Sequence, residues 1–417
     1  MSRRLKQISS LTLALVLGAF CAVPANANET NSNENLRAVK LAQNFREVVT
    51  ESSQYQDIRV VEIAGGLEHP WAVAILPDGR FLVTERPGRL NIVDKGKVIQ
   101  VSGVPKVNAE NQGGLLDVVL HPNYKANGWI YMTYSKPNGN GETATAVARG
   151  RLRGNTLVDV KDIFVQNRYS EPGQHYGSRL AWTNDGKLLM TIGDRWHEPR
   201  RAQNLQDHAG KVLRLNDDGS VPKDNPFVGN PEVLDEIYTY GNRNIQALTV
   251  NRTTGEVWAV DHGPRGGDLL YQIRGGNNYG WPLVTRGFDY ETGGQFPEAV
   301  ARRMEGVVEP FYEFLPTHAP SGVTLVTTKQ FPSWQGNLLV GGLASRRIRR
   351  VVFNQQEVLH EEELLLQKIG RIRDVREGAD GYLYVLTDES KGGLYRIEPT
   401  NLNDDDDDDD EEDIESV

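Results

Sequence analysis

The sequence predicts an all-β protein, a six-bladed β-propeller of four-stranded antiparallel blades, and two observations carry that expectation. The first is a phrase that recurs six times: an apolar strand, a turn ending in Gly, then an alternating apolar strand. In chain order it reads ILPDGRFLVTER (turn glycine Gly79), LHPNYKANGWIYMTYS (Gly128), WTNDGKLLMTIGD (Gly186), VNRTTGEVWAVDHG (Gly255), FPSWQGNLLVGGL (Gly336) and VREGADGYLYVLTD (Gly381). Each is a hairpin signal, because Gly accepts the positive φ such turns require and the flanking residues alternate. The glycines lie 49, 58, 69, 81 and 45 residues apart, room for a four-stranded sheet plus loops. Such sheets cannot bury both faces alone, and stacking them radially does so while leaving only short edges. The second observation is composition: Gly 42, Pro 20 and 33 aromatics in 417 residues favour many turns between short strands. Two β-sandwich domains would account for the strands but not for six similar hairpins without a linker. The wide spacings from Gly186 to Gly336 place long loops in the middle blades, and loops at one end of a propeller are where a site is built.

The flanks divide the rest of the chain. Residues 1–27 read as a signal peptide: Arg3, Arg4 and Lys6, an apolar run from Leu11 to Val23, then Ala25-Asn26-Ala27 as the cleavage pattern. Thirteen apolar residues fall short of the roughly 20 needed to span a bilayer, so the mature chain is expected to start at Asn28, without a transmembrane anchor, in the periplasm. Lys6 and Gln7 after the arginine pair favour ordinary over twin-arginine export. The single cysteine, Cys21, lies inside the leader with Phe20 before it, which leaves no thiol chemistry and no Cys-ligated metal to the mature protein. A polar segment (28–56) precedes the propeller (57–400), and residues 401–417 form an acidic tail. Eleven acidic groups between Asp404 and Glu415 account for the net charge of −10. The rest is near neutral, and nucleic acid is not an expected partner. The tail reads as a solvating segment, with weak calcium accumulation or docking to a basic cytochrome as the sharper alternative.

Zincin, α/β-hydrolase and P-loop signatures are absent from the sequence, and a GxGxxA string at Gly139, Gly141 and Ala144 sits in a polar loop with no helix after it. What remains are clusters of polar residues and glycines at strand ends: NQGGLLD (from Asn111), QHYGSRL (Gln174), TIGDR (Thr191), YGNRN (Tyr240), DHGPRGGD (Asp261), NNYGWP (Asn277) and RIRDV (Arg371). A propeller would bring them to one axial mouth.

In this order the clusters resemble the soluble quinoprotein sugar dehydrogenases, the glucose/sorbosone and aldose sugar dehydrogenase family that uses pyrroloquinoline quinone (PQQ), over roughly residues 60–398. The resemblance implies a PQQ pocket lined by Gln112, Arg243, Asn244, Tyr290, Arg371 and Arg373. PQQ is a flat tricarboxylated ortho-quinone, and planar guanidinium forks suit its carboxylates. Without the resemblance, Arg371 and Arg373 would be alternate residues of one strand reaching solvent. His175 stands at the family's general base, an imidazole neutral enough at pH 7 to take a hydroxyl proton. Asp194 matches the partner that orients it, and Gly177 is read as permitting close approach of substrate. Calcium, a hard oxygen-seeking cation, would be held by the carbonyls of Gly263 and Pro264. Asp268 and the Tyr279 carbonyl are candidates for a second ion, with Leu269 standing where close relatives have Glu. The chain also departs from the family at Ile245 and Ala247. A lysine near the quinone is replaced by Ala344, with Arg346, Arg347, Arg349 or Arg350 as candidate substitutes.

The implied activity is oxidation of the C1 hydroxyl of an aldose. His175 would take the proton while hydride passes to PQQ, Arg243 stabilising the charge that develops. A periplasmic cytochrome or a quinone would take the electrons. Two other readings stay open: a calcium-dependent propeller hydrolase acting on sugar lactones, and a non-catalytic propeller that binds glycan or protein.

Overall fold

Each of the six phrases forms the inner hairpin of one sheet. The computed structural model describes residues 45–401; the leader, Cys21 and the acidic run after Asn403 lie outside them. In chain order the strands begin with β1 (Arg46–Glu51) and β2 (Ile58–Leu67). Blade 1 follows as β3 (Pro70–Ile75), β4 (Phe81–Glu85), β5 (Arg89–Asp94) and β6 (Lys97–Val101). Blade 2 is β7 (Leu115–Leu120), β8 (Trp129–Pro137), β9 (Thr143–Arg153) and β10 (Thr156–Val165). Blade 3 is β11 (Leu180–Trp182), β12 (Leu188–Ile192), β13 (Lys211–Leu215) and β14 (Ile237–Tyr240). Blade 4 is β15 (Ile245–Val250), β16 (Val257–Asp261), β17 (Asp268–Ile273) and β18 (Tyr312–Phe314). Blade 5 is β19 (Pro320–Leu325), β20 (Leu338–Gly342), β21 (Arg347–Phe353) and β22 (Val358–Leu364). The last blade joins β23 (Ile372–Glu377), β24 (Leu383–Thr387) and β25 (Gly392–Pro399) to β2, with β1 as a fifth, outer strand.

The first strands touch in cyclic order, β23 returning to β3, so the described residues form a six-bladed propeller. Its closure is the β2–β25 pairing from Ile58 opposite Pro399 to Leu67 opposite Gly392, which joins the two ends of the fold in one sheet. The strand β1 lies inside the polar stretch ahead of residue 57, so the sheet starts earlier than the sequence pattern indicates. All six turn glycines have positive φ, from 68° to 86°, the conformation that selects Gly there.

The second strands β4, β12, β16, β20 and β24 are buried along their whole length, because both faces of a blade pack on neighbouring blades. Apolar clusters accordingly lie between consecutive blades: Trp71 and Leu82 with Met132 and Ala146, or Leu189 and Val212 with Leu248 and Ala259.

The first strands are irregular at one end. Against its second strand, each of β3, β7, β15, β19 and β23 carries a register shift, at Pro70/Ala72, Leu115/Val118, Ile245/Ala247, Pro320/Val323 and Ile372/Asp374. A bulge turns the extra side chain out of the alternation, and here it turns toward the axis. There Arg179, just before β11, lies 3.0 Å from Asp374 and 3.5 Å from Asp117. Arg376 lies 2.9 Å from Asp117 and 3.0 Å from Asp374. The remaining acceptors are filled by Leu180 N (2.7 Å, to Asp117) and Val73 N (3.1 Å, to Asp374). Arg179 also donates to the carbonyls of Gln246 (2.6 Å) and Arg373 (2.8 Å), and its guanidinium sits 4.1 Å from the Trp71 ring.

Replacing one member of such a buried set strands the others. We expect Arg179→Met, which leaves two carboxylates to one guanidinium, to lower the unfolding free energy by about 3–5 kcal/mol, read from urea unfolding followed by tryptophan fluorescence. A loss under about 1 kcal/mol would place this network with surface pairs.

Candidate active site

A hairpin has two ends, and the turn glycines mark the end away from the site. At the opposite end, where chains enter each first strand and leave each second strand, lies a cavity of about 360 Å³, within the range of roughly 300–1,000 Å³ for small-molecule sites. Gln112, His175, Arg243, Asn244, Tyr290, Arg371 and Arg373 all line it.

His175 and Asp194 come together because two loops have no side chains between them. A Cβ on Gly193 would lie 2.2 Å from the His175 carbonyl oxygen, and one on Gly177 would lie 2.8 Å from Gly193 N. Gly177 therefore admits the neighbouring backbone, not substrate as the sequence reading had it. The His175 Nδ1 is 2.6 Å from Asp194 Oδ1, whose carboxylate also accepts from Trp196 N (2.8 Å) and Trp281 Nε1 (2.7 Å). Gln112 Oε1 accepts from His175 N and Asn244 Oδ1 from Gly177 N, both at 3.0 Å. Burial, with the nearby Arg243 charge, brings the imidazole down to about 4. It is neutral at pH 7, with the proton on the nitrogen that faces Asp194 and Nε2 left as acceptor. Burial opposes charge on Asp194, but His175 and Arg243 outweigh it and hold the carboxyl below its usual value. The loop that follows, carrying Trp196 edge-on to the imidazole with ring centres 5.0 Å apart, is pinned by Lys211. Its Nζ donates to the carbonyls of Arg201 (3.1 Å), Ala202 (3.0 Å) and Ala209 (2.7 Å), and burial lowers it to about 7.

The opposite wall is cationic. Arg373 is buried, donating to Gln246 Oε1 (2.8 Å) and paired with Asp388; Arg371 is partly exposed, 3.8 Å from the same carboxylate. Neither simply reaches solvent, since the bulge at Arg373 breaks the alternation. Arg86, half buried, donates to the Asn111 carbonyl. Burial, with Arg373 and Arg371 nearby, pushes its guanidinium down. Arg243 donates to the carbonyls of His262 (3.1 Å) and Gly263 (2.7 Å). The Nε atoms of Arg86, Arg243 and Arg373 and the Nε2 of His262 are buried without a partner, an arrangement that favours an acceptor-rich ligand.

Other expected residues are placed differently. Ala344 is exposed in the turn after β20, while Leu343 lines the cavity. Arg346 is exposed in the same turn, and Arg347, Arg349 and Arg350 lie on β21, paired with Glu363, Glu361 and Glu362 of β22, whereas Arg86 lines the cavity. Asp268 is spent on protein donors: Oδ1 accepts from Gly263 N (3.1 Å), and Oδ2 from Thr317 Oγ1 (2.8 Å), His318 N (2.8 Å) and Ala319 N (2.9 Å). It anchors the Gly263 loop. Tyr279 is buried, its hydroxyl accepting from Arg274 N at 2.8 Å, and with Leu269 it lines a small cavity of about 20 Å³ beside the site.

Arg86, His262 and Asp388 line the cavity and were not singled out from the sequence. A signal for them was present: Arg86, Ser135, Gly193, His262, Leu343 and Asp388 each lie seven residues after a turn glycine, where the second strand of each hairpin delivers the chain to the site end.

The family profile described as glucose / sorbosone dehydrogenase matches residues 67–396. The aldose sugar dehydrogenase YliI of Escherichia coli is 39% identical over 349 residues, covering 82% of this chain and 94% of that one. The crystal structure of the soluble aldose sugar dehydrogenase of Escherichia coli in its apo form aligns with TM-score 0.79 at 39% identity, over 82% and 100% of the two chains. The PQQ-bound form of an aldose sugar dehydrogenase from Streptomyces coelicolor shares the fold at TM-score 0.67 and 24% identity, over 84% and 100%. The chain belongs to the glucose / sorbosone dehydrogenase family.

Proposed function

We propose that this protein oxidises the C1 hydroxyl of aldose sugars, with PQQ in the arginine-walled cavity and calcium beside it. The observation that carries the reading is the pairing of a buried neutral imidazole with a wall of guanidiniums whose buried N–H groups lack acceptors, both on one cavity. That wall suits a tricarboxylate: Arg371 and Arg373 on one side and Arg86 beside them would take carboxylates, and Arg243, between His175 and the Gly263 loop, would face the quinone end. When bound, PQQ supplies the hydride acceptor. The Nε2 of His175 takes the hydroxyl proton, and Asp194 holds Nδ1–H so that Nε2 stays basic and stabilises the imidazolium that forms. Trp196 packs edge-on to the imidazole and Trp281 donates to Asp194, so both hold the His175–Asp194 pair in place. For calcium, the chain offers the carbonyls of Gly263 and Pro264. Arg243 already donates to the first; Asp268 is engaged by the backbone of the Gly263 loop and of His318 and Ala319, and the second ion of relatives is left out of the proposal. The leader-like pattern of residues 1–27 supports a periplasmic mature chain, for which a cytochrome or a quinone would be the electron acceptor. Among the described residues no helix is long and apolar enough to cross a membrane.

The test is to add PQQ and calcium to purified protein, then an aldose and an artificial electron acceptor. Dye reduction abolished by chelation supports the reading. Hydrolysis of a sugar lactone with calcium alone would point to the hydrolase, and glycan binding without turnover to the binding propeller.

His175→Gln removes the base while keeping a polar side chain, and we expect kcat to fall by roughly 10²- to 10⁴-fold with PQQ still bound. Because burial lowers His175, the active neutral form persists as pH falls, and the acid limb of kcat/KM is expected near pH 4 instead of the roughly 6.5 of a free imidazole. The limb should disappear in His175→Gln. Near-normal turnover in the variant would remove His175 from the reaction. Arg86→Ala is expected to weaken PQQ binding by roughly ten- to a hundredfold, the loss of one desolvated charge-assisted contact of about 1.5–3 kcal/mol; an unchanged Kd by fluorescence titration would put the carboxylates elsewhere.

A further inference from the structure

The cavity holds a second imidazole–carboxylate pair. His69, one residue before β3, has its Nδ1 2.8 Å from Asp388 Oδ1, and both residues line the cavity wall away from His175. Its backbone is tied on both sides, its N–H donating to the Glu389 carbonyl (2.8 Å) and its carbonyl accepting from Arg86 N (3.1 Å). With φ at 46° it adopts a left-handed conformation uncommon outside Gly, and such strain persists only where the surroundings enforce it. The ring therefore stands fixed at the mouth of the anion wall.

The charges around it do not balance once an anionic ligand arrives. Arg86, Arg371 and Arg373 face Asp388 and Glu389 across this end of the cavity, a surplus of one positive charge. On the solvent side Arg89 is shared between Glu68 (2.8 Å) and Glu85 (2.7 Å), and Glu68 also feels the His69 ring. Burial opposes charge on Asp388, yet Arg373, His69 and Arg86 hold its carboxyl well below the usual range. It remains an anion, and any ligand carboxylate bound by the same arginines sits beside it. Like charges at such a site favour protonation of the nearest group that can accept a proton, and imidazole is the side chain suited to do so in the physiological range.

We propose that His69 is a proton-coupled member of the carboxylate-binding wall: binding of a polycarboxylate ligand draws one proton onto its ring, which then shares Asp388 with Arg373 and cancels the repulsion between Asp388 and the ligand. The proposal rests on PQQ as that ligand. It involves a proton taken from solvent and no redox step.

The experiment is calorimetric titration of the full chain with PQQ in buffers of different ionisation enthalpy, which counts protons taken up on binding, repeated over a range of pH. We expect wild type to take up a substantial fraction of a proton and to lose affinity as pH rises, by up to tenfold per unit where uptake is complete. His69→Gln should lose the uptake, bind more weakly at low pH and match wild type at high pH. His69→Lys, with a fixed charge, should bind tightly without uptake. In wild type, the ring nitrogen resonances of isotopically labelled histidine should move to imidazolium values on addition of PQQ, a readout that does not depend on a variant folding. Uptake that is absent, or equal in wild type and His69→Gln, overturns the inference while leaving the quinoprotein reading intact. Failure of PQQ to bind wild type at all overturns both.

Discussion

The four charged side chains at the axis, Arg179, Arg376, Asp117 and Asp374, are the constraint from which the rest of this propeller follows. Six inner strands around one axis leave a channel, and a channel between two faces of a protein must be filled or it will be wet. Apolar side chains would fill it without orientation. Charges fill it at a desolvation cost that only complete pairing offsets, and complete pairing requires every blade in its place. Here the donors and acceptors come from all six: Val73 and Trp71 from blade 1, Asp117 from blade 2, Arg179 and Leu180 from blade 3, the Gln246 carbonyl from blade 4, Ser321, which bonds the Arg373 carbonyl at 2.8 Å, from blade 5, and Asp374 and Arg376 from the last. The carbonyls Arg179 holds belong to Gln246 and Arg373, whose side chains bond one another on the cavity wall. The network thus positions the site directly, through two backbone bonds.

The bulges explain how one strand serves both ends. In an unbroken strand, alternate residues face opposite sides of a blade, and none faces the axis. An extra residue at the site end of five inner strands supplies Trp71, Asp117, Gln246, Ser321 and Arg373 to the hub or to the cavity. Sequence periodicity reads only the regular part of a strand, and that limits what was legible. The six turn glycines, the hairpins and the cyclic order all follow from local conformational demands that leave a residue-level mark. The polar clusters marked where the chain enters first strands, as before β11, β15 and β23, and also where it leaves the second strands β12 and β16, and through the family resemblance they located His175, Asp194, Arg243, Arg371 and Arg373.

The rest of the cavity wall was less visible. Arg86 ends a strand followed by Pro-Gly and reads as an exposed turn; His69 precedes Pro70 and reads the same way; Asp388 looks like a helix or turn cap. Only their equal distance from the turn glycines connects Arg86 and Asp388, because equal hairpins deliver equal positions to the same end of the propeller; His69, ahead of the first strand β3, lacks even that mark. Arg347, Arg349 and Arg350 were misleading for the opposite reason. Three arginines near the lost lysine in sequence lie on the third strand of their blade, where the acidic run Glu361 to Glu363 on β22 has already claimed them.

Around His175 the backbone departs from its preferences more than anywhere else near the cavity. His175, Ser178, Arg195 and Trp196 have φ of 55°, 80°, 66° and 71°, each a cost of order 1–3 kcal/mol for a residue with a side chain. The strain is held by what surrounds it: Gly177 against Gly193 leaves no room to relax, Asp194 binds both the imidazole and the Trp196 amide, Gln112 and Asn244 hold the His175–Gly177 backbone, and Lys211 closes the loop behind. Relaxing any one of these would move a ring nitrogen by an ångström or so, enough to lose much of the advantage of a prepositioned base. The same logic accounts for burying His175 although burial lowers its basicity. A buried imidazole with one nitrogen tied to a carboxylate has a single tautomer and a single orientation, so weaker basicity is exchanged for a fixed proton acceptor. In the proposed reaction the proton would leave together with a hydride, and such a step would not require a strong base, only one already in place.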